Sequence, residues 1–72
     1  MATRTMLSAS GVSQEARPVR VLVVDDSAYM RFTLTKYLNE ASGFVVVGAA
    51  RDGRDALDMI PKVKPDVVTL DV

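Results

Sequence analysis

The sequence contains no cysteine, no histidine and no tryptophan. Without cysteine there is no disulfide staple and no thiol chemistry, which is compatible with a reducing compartment. Without histidine or cysteine, the usual zinc sites and histidine-based catalytic triads cannot be built within the chain. No apolar run approaches the length needed to cross a bilayer, and residues 1–10 lack the continuous apolar core of a signal peptide. The expected location is therefore cytoplasmic, with no membrane partner. Nine basic and nine acidic residues leave a formal net charge of zero, so there is no electrostatic reason to expect direct binding of nucleic acid.

What is present is a chain of 72 residues, 49% apolar, near the size at which a single core becomes marginal. Residues 1–18 are rich in Ser, Ala, Thr and Arg, include Gly11 and Pro18, and show no sustained period. They read as a flexible leader, which leaves residues 19–72 to form the folded unit.

The dense run at 19–24, broken only by Arg20, is too apolar for a strand with one wet face and suits a sheet covered on both sides. It ends in two adjacent carboxylates, Asp25 and Asp26, followed by Ser27. From there the period becomes helical: Ala28, Met30, Leu34, Tyr37, Leu38 and Ala41 form an apolar stripe, and Arg31, Thr35, Lys36, Asn39 and Glu40 are expected to face water. Asp26 or Ser27 can cap this helix, and Ser42 with Gly43 stops it. A second strand is expected at 44–47, continuing through Gly48 and Ala49.

Asp52 is the expected cap of a second helix, with Asp55 facing its first-turn amides and Ala56, Leu57, Ile60 and Val63 as its stripe. Pro61 removes the amide that would bond to Leu57, so a kink or an early stop is expected near Ile60. A third strand follows at 67–72. The result is strand-helix-strand-helix-strand, an α/β unit with parallel strands and right-handed crossovers.

In the doubly wound order 2-1-3-4-5, the first and third strands are neighbours and their carboxyl ends flank the crossover point where ligands bind. Asp25, Asp26 and Asp71 are then expected to converge. Carboxylates gathered at one sheet edge repel one another, and a hard divalent cation relieves that cost. Mg²⁺ is the expected cofactor, with Asp25, Asp26 and Asp71 as its ligand set. The third strand has no second neighbour from residues 19–72, and its edge is a liability for strand exchange and self-association. One expectation is that the chain is the first part of a larger domain, completed by residues beyond Val72 or by another chain.

The ordered layout, with VLVVDDS at 21–27, Asp-Gly at 52–53 and PDVVTLDV at 65–72, resembles the N-terminal half of the receiver domain of two-component response regulators. The resemblance implies a flavodoxin-like fold and phosphoryl transfer from a histidine kinase to Asp71, with Asp25 and Asp26 holding Mg²⁺. Within the family, VVG at 46–48 and Thr69 before Leu70 look most like the receiver of chemotaxis protein-glutamate methylesterases. Single-domain chemotaxis receivers and receivers of transcription factors share most of the pattern and stay open as alternatives. The resemblance also implies that the fourth-strand Ser or Thr, the fifth-strand Lys and the switching aromatic lie past Val72. Weak Mg²⁺ binding and no competent switch are therefore expected of these residues alone, and an esterase activity cannot be assigned to them.

Three other readings carry their own tests. A metal-dependent phosphatase with Asp25 as nucleophile would usually place a second acid two positions on, where this chain has Ser27. A dinucleotide-binding unit would need glycine at the first strand-to-helix turn, and there is none. A structural fragment without activity would show itself by assembly through the third-strand edge.

Overall fold

The computed structural model describes residues 4–8 and 17–71. Its elements in chain order are β1 (Arg4–Ser8), β2 (Val19–Asp25), α1 (Ala28–Glu40), β3 (Phe44–Ala50), α2 (Gly53–Val63) and β4 (Val67–Asp71). They form one four-stranded sheet in the order β1-β4-β2-β3. β2, at the centre, pairs in parallel with both β3 and β4. The strands read from residues 19–72 thus take the expected partial doubly wound arrangement, with the first between the second and the third.

The apolar density of β2 explains its position. Val21, Leu22 and Val23 are fully buried, so both faces of the strand are covered, as the unbroken run implies. The register of β2 against β3 shifts once, between Val21 and Leu22, where Val47 is passed over and Leu22 pairs with Gly48. Gly48 is a site of close approach: a Cβ there would lie 2.6 Å from Met59 Cε and 3.2 Å from Leu22 Cδ1. Leu22, Val24, Ala50, Ala56 and Val68 form the core on the α2 side, with Met59, Ile60 and Leu70 packed against it.

The helix boundaries follow from local chemistry. Ser27 caps α1, its hydroxyl accepting from the Met30 amide at 3.3 Å. Gly43, at φ +93°, turns the chain from α1 into β3. Asp52 caps α2 and accepts from the Asp55 amide at 2.8 Å, while the Asp55 carboxylate accepts from the Arg51 amide at 3.2 Å. Asp66, buried before β4, accepts from the Arg20 amide at 3.0 Å, and Arg20 in turn donates to the Val63 carbonyl at 2.6 Å. These contacts tie the start of β2 to the α2–β4 connection.

Four expectations change. Residues 1–18 were expected to lack regular structure, yet Arg4–Ser8 is a strand paired antiparallel to β4. Its partner is remote in sequence, so no local period announces it; apart from Arg17 and Pro18, the rest of that leader lies outside the described residues. The edge of β4 is correspondingly paired within the chain rather than bare.

Tyr37, placed on the inner stripe of α1, is 74% exposed, whereas Arg31 and Thr35 are half-buried. The face that meets the sheet follows residues 31, 34, 35 and 38, leaving Tyr29, Phe32 and Tyr37 outside. On α2, Leu57 is exposed and Met59 packs in its stead, because 56, 59, 60 and 63 share one side of a 3.6-residue turn. Finally, α2 does not stop at Ile60: it runs through Pro61 to Val63 and closes where the Lys64 amide donates to the Ile60 carbonyl at 2.8 Å. Proline costs one helical hydrogen bond, which the packed Ala56, Met59 and Ile60 face outweighs. Val72, expected in the last strand, lies outside the described residues.

Candidate functional site at the carboxyl ends of β2 and β4

β2 and β4 run side by side and both end in aspartate. Asp25 and Asp71 are direct register partners, so the parallel ladder sets these two acids next to each other. Neighbouring strands lie about 4.8 Å apart, within reach of a shared ion or substrate group.

Asp25 is 1% exposed and is held from two directions. Its Oδ1 accepts from the Ser27 amide at 2.9 Å, and its carbonyl accepts from the Arg31 guanidinium at 2.8 Å. The Ser27 amide therefore fixes the carboxylate, and Arg31 fixes the backbone of the β2–α1 turn beneath it. Asp26, the next residue, is exposed in that turn.

Asp26 and Asp71 line a cavity of about 300 Å³ together with Val24, Arg51, Asp52, Gly53 and Leu70. Val24 and Leu70 give it apolar wall, and the Asp52 carboxylate is already engaged in capping α2. The expected acids are thus brought together pairwise: Asp25 beside Asp71 in the sheet, Asp26 with Asp71 in the cavity. Among the described residues, no group of three His, Cys, Asp or Glu side chains stands ready-made to hold a metal ion. Oxygen donors are nonetheless the type that a hard divalent ion takes, and Mg²⁺ needs only one or two carboxylates because it keeps much of its water.

Two cations at this end of the sheet escaped the sequence reading. Arg31 looked like a solvent-facing helical residue but reaches back to the Asp25 carbonyl. Arg51 reaches the cavity because it directly precedes the Asp52 cap, and its amide is held by Asp55. The position of Arg31, about one helical turn after the Ser27 cap, is the one local signal that could have found the first.

A parallel α/β sheet with paired acids at the carboxyl ends of adjacent strands defines the class, and comparison with known families agrees. The chain belongs to the response regulator receiver domain family, which it matches over residues 21–72. Its class is thereby that of two-component phosphoacceptor modules. Within that class its likeness is to the receivers of protein-glutamate methylesterases. It is 57% identical over 56 residues to a protein-glutamate methylesterase/protein-glutamine glutaminase of Symbiobacterium thermophilum, covering 78% of this chain and 16% of that protein. A Myxococcus xanthus protein of the same description is 56% identical over 55 residues, covering 76% and 16%. One from Bacillus subtilis is 54% identical over 54 residues, covering 75% and 15%. The chain therefore spans about one-sixth of the length of these relatives.

Proposed function

We propose that Asp71 is the phosphoryl acceptor of a two-component chemotaxis system and that Asp25, Asp26 and Asp71 are the residues that would hold Mg²⁺. The observation that carries this reading is the register of Asp25 with Asp71 beside a cavity that Asp26 and Asp71 share. When bound, Mg²⁺ supplies the positive charge that offsets repulsion between a carboxylate and the phosphoryl oxygens.

The chain's own contribution is placement. Asp71 lies at a strand end with its backbone fixed by ladders on both sides, so its position is set before a donor arrives. A carboxylate oxygen of Asp71 attacks phosphorus in line. The P–O bond to Asp71 forms as the P–N bond of the donor phosphohistidine breaks, the electron pair returning to the imidazole nitrogen, which takes up a proton. The product is an acyl phosphate. Asp25 is a poor alternative nucleophile, since it is buried and its Oδ1 accepts from the Ser27 amide. That burial counts against a phosphatase with Asp25 at its centre.

The donor in this reading is a histidine kinase. The likeness to methylesterases suggests that the parent protein couples the receiver to a methylesterase output domain in the cytoplasm. The test is treatment with acetyl phosphate and Mg²⁺, borohydride trapping and peptide mapping, on the chain and on the longer polypeptide of the same reading frame. Label is expected on Asp71, and Asp71→Asn should abolish it. Label at another residue, or undiminished label in the Asn variant, would sink the assignment.

A further inference from the structure

The strand register brings a third segment to the pair of acids. Val24 stands opposite Leu70 on β4 and opposite Ala50 on β3, so Arg51, the residue after β3, leaves the sheet level with Asp25 and Asp71. Two strand spacings, about 10 Å, separate its backbone from that of Asp71. An arginine side chain from one side and an aspartyl phosphate from the other can close that gap. Among the described residues that line the cavity, Arg51 is the one cation, set with the acids Asp26, Asp52 and Asp71.

The local chain fixes where this arginine starts and leaves its head group uncommitted. Its amide donates to the Asp55 carboxylate at 3.2 Å, and the Asp52 carboxylate accepts from the Asp55 amide at 2.8 Å. Both neighbouring acids are therefore engaged with backbone. Among the described residues no ion pair takes the Arg51 guanidinium, and the residue is exposed. Arg31 is the contrast, since its guanidinium is already bound to the Asp25 carbonyl.

We propose that the Arg51 guanidinium binds the phosphoryl group as Asp71 receives it, and so is a charge of the protein's own that favours the transfer. This rests on the reading of Asp71 as the acceptor. A phosphoryl group brings about two negative charges to a cavity lined by three carboxylates, and a guanidinium offers its oxygens two parallel N–H donors. Arg51 forms and breaks no covalent bond. In transfer from acetyl phosphate, the P–O bond to Asp71 forms as the P–O bond to the acetyl oxygen breaks, and acetate leaves with the electron pair. The same positive charge stands beside the acids that would hold Mg²⁺, so it opposes metal binding while it assists the phosphoryl group. Those opposite signs separate this role from a structural one, whose loss would weaken both.

The test is the series Arg51→Lys, Arg51→Ala and Arg51→Glu in the longer polypeptide of the same reading frame. Every variant keeps the amide that Asp55 holds. The first readout is the rate at which acetyl phosphate labels Asp71 at saturating Mg²⁺, followed by intact mass. It is expected to fall about tenfold in Arg51→Ala, less in Arg51→Lys, which keeps the charge without the fork, and more in Arg51→Glu. The second is Mg²⁺ affinity with no phosphodonor present, by titration calorimetry. It is expected to tighten about threefold in Arg51→Ala and further in Arg51→Glu. Equal labelling across the series, or an Arg51→Ala variant whose Mg²⁺ affinity fails to tighten, would overturn the proposal. A wild-type polypeptide that takes no label on Asp71 would defeat the acceptor reading itself, and this proposal with it.

Discussion

Some acidic side chains in this protein hold backbone, and others line the cavity at the carboxyl end of the sheet. Asp25, Asp52, Asp55 and Asp66 all accept from main-chain amides, which fixes turns and helix starts. Asp26 and Asp71 line the cavity, which the capping Asp52 also reaches. Thr69 is a different case: it is 3% exposed and, among the described residues, its hydroxyl has no hydrogen-bond partner. A buried polar group without a partner forfeits its hydration, so Thr69→Val, which keeps the shape, should raise stability by about 1 kcal/mol. Urea denaturation reads this as a higher midpoint at unchanged slope; a lower midpoint would mean that the hydroxyl is satisfied in solution. The roles of the acids were only partly legible in sequence. Asp52 announced itself as a cap and the first cap was narrowed to Asp26 or Ser27, because capping is a local matter, whereas Arg31 had only its position after that cap to set it apart from its exposed neighbours.

At the scale of elements, α2 contains two departures from helical preference. Pro61 lies within it, and its cap residue Lys64 sits in the left-handed region at φ +49°. A side chain there costs about 1–2 kcal/mol relative to glycine. Lys64→Gly is therefore expected to stabilise the protein by about 1 kcal/mol, after the loss from a more flexible unfolded chain, and thermal unfolding would show a raised midpoint. No gain would mean that Lys64 makes a compensating interaction. The existence and order of both helices and of β2, β3 and β4 could be read from period and punctuation. Their inward faces could not be read fully, because several apolar residues on each helix compete and only the packed sheet selects among them. On α1 that selection leaves Tyr29, Phe32 and Tyr37 outside.

For the whole molecule, stability is concentrated in one strand. β2 is central in the sheet and carries the fully buried Val21, Leu22, Val23 and Asp25, whereas α1 has no buried residue at all. Native-state hydrogen exchange should therefore rank β2 amides as the slowest and α1 amides as markedly faster. Equal protection of the two would contradict this uneven distribution. No described helix is long and apolar enough to cross a membrane, consistent with a chain whose apolar runs are spent on the sheet.

The sequence by itself determined the alternation of strands and helices, the cap at Asp52, the choice of Asp26 or Ser27 as the other cap, and the delivery of Asp25 and Asp71 to strand ends. These depend on interactions within a few residues: side-chain period, amide capping and the restricted backbone of proline. The tertiary structure alone decided that Asp25 stands opposite Asp71, that Arg31 and Arg51 attend the acidic site, and that Arg4–Ser8 closes the edge of β4. Each of those facts rests on hydrogen bonds or packing between segments distant along the chain, where one backbone edge accepts many partners and only the assembled sheet chooses which.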